Sequence, residues 1–201
     1  MKKIVIGVVM VSLVCVAAVV WAQSADEWFD KAYNTGDAEL KVEYYTKSIE
    51  NDPEPMMAYF NRGVVYKNLG LYDEAIADFT KALELELTPA ITHLSRGDAY
   101  YLKGDYEYAL GDVNAALTLR PDFANALNIR ANIYREMGFH NEAMADIEYA
   151  MDLLPEQSLY YYTRGRIHRD LGNMEEARAD FTMACNMGIY AACDALDEMG
   201  Y

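Results

Sequence analysis

Small and apolar residues return along this chain every 34 positions. Ala75 and Ala82 recur as Ala109 and Ala116, as Ala143 and Ala150, and as Ala177 and Ala184. Glycines keep the same beat at Gly36, Gly70, Gly104, Gly138 and Gly172. Seven places before each of the last four stands a small residue (Gly63, Gly97, Ala131, Gly165), and four places before it a ring (Tyr66, Tyr100, Tyr134, His168). Small residues let two helix backbones approach while rings fill the space between, so these positions predict contacts between helices. Each unit reads as two helices, for example 56–69 and 73–86, broken by Gly70, which can take the left-handed conformation that ends a helix. The second helix is expected to stop near Thr88-Pro89, with Pro53, Pro121 and Pro155 ending the other units. A single-core domain has no reason to keep this period, so the chain is an all-α repeat array in which each helical hairpin exposes an apolar face that its neighbours cover.

The frame Tyr59-x2-Arg62-Gly63-x2-Tyr66 followed by Ala75-x3-Phe79 resembles the tetratricopeptide repeat. The resemblance covers about residues 24 to 187. Units 56–89, 90–123 and 124–157 match closely, a terminal unit spans 158–187, and a degenerate first unit ending at Pro53 carries Lys41 and Ser48 where alanines are expected. It implies a right-handed solenoid of antiparallel helix pairs, about five repeats followed by a capping helix in the tail 188–201. The segments 23–55, 56–157, 158–187 and 188–201 are thus the expected parts of the array.

Residues 1–22 stand apart from it. Lys2 and Lys3 precede an apolar run from Ile4 to Trp21, and Val20-Trp21-Ala22 offers a cleavage site before Gln23, which reads as an export signal. The run is also at the edge of what spans a bilayer, so an uncleaved N-terminal anchor is the alternative. Both place the repeats outside the cytoplasm, in a periplasm or cell envelope. Cleavage leaves 15 basic against 32 acidic residues, a formal charge of −17 instead of −15. Nucleic-acid binding depends on neutralising phosphates with Lys and Arg, so nucleic acid is not an expected partner. Loss of Cys15 leaves Cys185 and Cys193 in an exported chain, which predicts a disulfide pinning the helical tail over the end of the array; two free thiols are the alternative. The pair resembles the helix-linking cysteines of exported, cysteine-rich solenoid repeat proteins.

An arginine recurs at Arg62, Arg96, Arg130 and Arg164, and an aspartate follows each by 16 residues at Asp78, Asp112, Asp146 and Asp180. Ion pairing inside each hairpin is the expectation, in preference to an arginine row gripping an anion. Function then falls to positions that vary between repeats. The resemblance implies that the first helix of each pair lines a concave groove. Carried onto this sequence, the facing positions are Met57, Phe60, Val64 and Lys67, then Ile91, Leu94, Asp98 and Tyr101. They continue as Asn125, Asn128, Asn132 and Arg135, then Leu159, Tyr162, Arg166 and Arg169, with Asp26, Asp30 and Tyr33 from the first unit. This order runs from carboxylates through an apolar stretch to an Asn/Arg cluster, and predicts a bound segment whose acidic end lies near Arg166. The competing reading makes Met57, Ile91 and Leu159 core residues between repeats. The family's Lys/Asn clamp for a terminal carboxylate is incomplete: Asn132 and Arg166 are compatible, but Leu94, Asp98 and Tyr162 stand where Lys or Asn is required.

No enzyme constellation is visible. His93, His140 and His168 lie in three different repeats without metal-ligand spacing, and no phosphate loop, HExxH or Gly-x-Ser-x-Gly occurs. His168 occupies the ring position and is expected to pack. No cofactor or metal is implied. The sequence therefore predicts a non-enzymatic scaffold holding a protein or peptide segment, with self-association into a structural assembly as the alternative.

Overall fold

The computed structural model describes residues 24–200, so the segment 1–22 read as an export signal or anchor lies outside the described residues. Eleven helices follow in order: α1 (Ala25–Asn34), α2 (Ala38–Asn51), α3 (Met56–Asn68), α4 (Tyr72–Glu84), α5 (Pro89–Lys103), α6 (Tyr106–Leu119), α7 (Ala124–Glu136), α8 (His140–Leu153), α9 (Ser158–Asp170), α10 (Met174–Asn186) and α11 (Tyr190–Glu198). Each packs on its chain neighbours, giving five antiparallel hairpins, α1–α2 to α9–α10, stacked into a solenoid with α11 on the last. Among the described residues there is no strand, and no helix is long and apolar enough to cross a membrane.

Inside four hairpins the turn is set by glycine. Gly70, Gly104, Gly138 and Gly172 have φ of +77, +92, +82 and +78°, a region that costs any side-chain-bearing residue energy. The following residue then donates back across the turn, as Leu71 N–H does to Tyr66 O at 2.9 Å and Phe139 N–H to Tyr134 O at 2.8 Å. These bonds occupy carbonyls that the helix end leaves open. Gly36 departs from the series: Thr35 is extended, and the Asp37 carboxylate caps α2 by accepting from Leu40 N–H at 3.0 Å.

The joint between the second and third hairpins also differs from expectation. Pro89 does not close its unit but opens α5, where its missing N–H is no loss and its fixed φ suits a first turn. It stands two places beyond the register of Pro53, Pro121 and Pro155, where this unit has Leu87. The joint carries left-handed backbone at Glu86 (φ 60°) and Thr88 (φ 28°), while the buried Thr92 hydroxyl donates to Leu87 O at 2.7 Å.

The core is built by size matching within each hairpin. The eight periodic alanines are all fully buried. A Cβ added at Gly63 would stand 2.9 Å from the Phe79 ring, and one at Gly165 would stand 2.8 Å from Phe181. Gly97 faces Val113 in the same way. The third well-matched unit solves the problem with Ala131 and Ile147, both fully buried.

All four arginines meet their aspartates through two bonds of 2.7–2.8 Å, a fork that joins the helices of one hairpin. Three also reach the preceding hairpin: the remaining nitrogen of Arg62, Arg96 and Arg130 donates to Thr46, Thr80 and Asn114 at 2.8, 3.0 and 2.8 Å. Each of these side chains therefore ties three helices together. Glu148 stands at the fourth such position, where its charge acts on Arg164. His93 shares Asp112 with Arg96, at 2.8 Å.

At the C-terminal end Cys185 and Cys193 form a disulfide, with an S–S distance of 2.04 Å and Cα atoms 5.0 Å apart. Ala192 and Ala195 of α11 close over Ala177, Phe181 and Ala184, so the tail covers an apolar end that no further repeat covers.

Candidate interaction groove

The first helices of four hairpins, α3, α5, α7 and α9, lie side by side and enclose a concavity of about 500 Å³. Helical spacing puts successive facing positions three or four residues apart, so each helix contributes a short row. Lys67 comes from α3; Leu94, Asp98 and Tyr101 from α5; Asn125, Asn128 and Asn132 from α7; Tyr162 and Arg166 from α9. These nine and Leu159 are ten of the nineteen expected facing positions, gathered at one site together with Ser95, Ile129 and Thr163.

Phe60, Val64, Arg135 and Arg169 are among the expected positions that lie elsewhere. Phe60 packs its ring 5.6 Å from Phe79, and Val64 joins the same cluster around Ala75 and Ala99. Arg135 is 9% exposed and reaches away to Asp170 at 2.6 Å, with Glu136 as a second carboxylate partner. Arg169 lies over the Phe181 ring and pairs with Glu198 of α11 at 3.8 Å. Packing volume decides the first two, and the reach of a guanidinium toward a carboxylate outside the concavity decides the others. The core reading of Met57, Ile91 and Leu159 is corrected: they are 49, 41 and 46% exposed, and apolar filling between repeats comes from Phe60, Val64 and Leu94 instead. Tyr33 of the first unit is exposed.

Polar groups of the groove are connected between repeats. Lys67 and Asp98 form an ion pair at 2.5 Å, both about four-fifths buried. Arg166 donates to Asn132 Oδ1 and to the Glu136 carboxylate, each at 3.2 Å. Asn132 Nδ2 donates to Asn128 O at 2.9 Å and to the Thr163 hydroxyl at 3.3 Å. The buried Tyr160 hydroxyl donates to Asn125 Oδ1 at 2.8 Å. Burial pushes the Tyr101 phenol above its ordinary range despite the nearby Arg166 charge. Asn128 is 6% exposed, and its side-chain oxygen meets no donor. The contacts between repeats were not legible in the sequence, because they join residues about 31 or 35 apart and so depend on how one hairpin is offset from the next. Ser95 and Thr163 were missed for a simpler reason: they lie one place after Leu94 and Tyr162, at the edge of the same helix face.

Stacked helical hairpins with a lined concave face define a helical-repeat protein of the kind that works through its surface. The tetratricopeptide repeat pattern matches residues 57–87 and again residues 130–192. The chain belongs to the tetratricopeptide repeat family. Among solved structures it is similar to MamA from Desulfovibrio magneticus RS-1, with a TM-score of 0.72 and 20% identity over 82% of this chain and 95% of that one. A tetratricopeptide repeat protein from Parabacteroides merdae gives 0.71 and 25% identity over 91% and 73%. YrrB, described as a tetratricopeptide repeat protein with an unusual peptide-binding site, gives 0.65 and 21% over 87% and 92%. No curated protein matches the chain in sequence.

Proposed function

We propose that this chain is a non-enzymatic scaffold or adaptor that holds a segment of another protein in the concave groove, and that it does so outside the cytoplasm, at the cell envelope. One observation carries the first part. Packing positions repeat from hairpin to hairpin, whereas the residues facing the concavity do not: Asp98, Asn132 and Arg166 occupy one equivalent place, and Leu94, Asn128 and Tyr162 another. A surface serving only to stack repeats would need no such variation. YrrB, with a similar fold, is described by its own peptide-binding site, which supports the same use here. The extracytoplasmic part rests on Lys2-Lys3 with its apolar run and on the Cys185–Cys193 disulfide, a bond that persists in oxidising compartments.

The test is affinity capture from native cell envelopes with residues 23–201, which contain every described helix, comparing wild type with Leu159→Glu and Ser95→Arg. Leu159 is half exposed and Ser95 lines the concavity, so both changes obstruct the groove without touching the repeat joints. A partner retained by wild type and lost by both variants, at unchanged melting temperature, is the expected result. Identical captures by all three forms would remove the groove from consideration. N-terminal sequencing of the native protein beginning at Gln23 is the expected sign of export, and an intact Met1 in the cytosolic fraction counts against it.

A further inference from the structure

The groove carries charges, yet none of its cations is available. Lys67 is held by Asp98 at 2.5 Å at one end, and Arg166 lies beside Glu136 at 3.2 Å at the other. Each pair joins one repeat to the next, and the Lys67–Asp98 pair is about four-fifths shielded from water. An acidic ligand at Lys67 would have to separate it from Asp98, leaving a largely buried carboxylate without its cation, and one at Arg166 would have to displace its bond to Glu136. It would also approach a molecule whose formal charge is −15. A basic ligand meets the same obstacle at Asp98 and Glu136. What is left for a ligand between the pairs is uncharged: Leu94 and Ile129, the Tyr101 and Tyr162 rings, and the Asn125 and Asn128 amides. Asn128 is 6% exposed and its side-chain oxygen, itself closed off from solvent, meets no donor, so this uncharged stretch also holds an acceptor whose bonding is unfilled.

Building on the groove reading, we propose that the recognised partner segment is electrically neutral, an uncharged polar and apolar stretch of polypeptide, and that the Lys67–Asp98 and Arg166–Glu136 pairs act as charge filters which reject acidic and basic segments alike. This replaces the acidic end expected near Arg166 from the order of residues along the chain. Recognition then depends on shape and on neutral hydrogen bonds, and is only weakly sensitive to salt.

A phage-displayed random dodecapeptide library, selected on residues 23–201, tests the filter directly. On wild type the selected peptides are expected to have net charge near zero, and their affinity is expected to change less than about twofold between 0.05 and 0.5 M NaCl, because no ion pair forms on binding. Glu136→Gln frees Arg166 while Arg135 keeps Asp170, and selection should shift toward Asp- and Glu-containing peptides. Lys67→Met leaves Asp98 unpaired and should shift selection toward Lys and Arg. Acidic or basic peptides selected on wild type, or variants that select the same peptides as wild type, overturn the filter while leaving groove binding intact. Failure to select any peptide, or selected peptides that still bind Leu159→Glu, overturns the groove reading and this inference with it.

Discussion

A single recurring side chain shows how much one residue can carry in this fold. Arg130 forks onto Asp146 and reaches Asn114 in the preceding hairpin, so replacing it with Met leaves a buried carboxylate and an unpaired amide. Removing one partner of such a pair costs about 3–5 kcal/mol, and since Arg130 is about a quarter exposed the low end applies. Urea denaturation should show this loss, and Arg130→Met combined with Asp146→Leu should recover most of it, because the uncompensated charge is then gone. Asp78 also imposes a pH dependence. Burial pushes the Asp78 carboxyl above its ordinary 3.8 even though Arg62 pulls it down. A carboxyl that is raised in the folded state stabilises the fold below its unfolded pKa, and that stability is lost as pH rises through the folded value. Arg62→Met removes the opposing pull, so its destabilisation should be larger at pH 7 than at pH 4, as thermal melts at the two values would show. That Arg62 and Asp78 meet was legible from their fixed 16-residue spacing within one unit. The contact to Thr46 was not, because it crosses between units whose offset no single repeat specifies.

Among the helices, geometry is set by small residues facing large ones. Gly165→Ala puts a methyl group 2.8 Å from Phe181 on the adjoining helix, and should destabilise by about 1–3 kcal/mol through overpacking. Adding Phe181→Ile imports the Ala131–Ile147 solution used one hairpin earlier and should restore most of the lost melting temperature. Phe181→Ile alone should be destabilising, because it leaves a void against Gly165. The terminal helix α11 is held by the disulfide as well as by Ala192 and Ala195. Cys185→Ser with Cys193→Ser removes a short loop constraint of about 2.5 kcal/mol. Hydrogen exchange should accelerate first across residues 190–198, with α3 to α8 little affected, since stability in a stacked array is largely local. At this scale the helices and glycine turns were legible in the 34-residue period, and the cysteine pair in the tail was legible from the count of thiols. The α4–α5 joint was not: Pro89 could be read as closing one unit or opening the next, and the left-handed Glu86 and Thr88 that decide the matter are not residues expected there.

Across the whole molecule, five hairpins bring four alternate helices side by side and turn rows of varying residues into one concave surface. The sequence by itself determined the all-α class, the repeat length, the hairpin turns and the arginine–aspartate forks, because each of these is repeated within one unit and depends on local spacing. It also placed ten facing positions on the concave side of their helices, since a helix position relative to the repeat frame sets the side it presents. Only the tertiary structure decided the rest. Phe60 and Val64 turn inward because neighbouring helices leave volume for them, while Arg135 and Arg169 leave the concavity because adjoining carboxylates lie within their reach. Above all, the pairing of Lys67 with Asp98 and of Arg166 with Glu136 joins residues on different helices, and this converts a row that reads as charged into a surface whose charges are already balanced. Charge along a sequence adds position by position, but the field in a groove depends on distances, and those exist only once the hairpins are stacked.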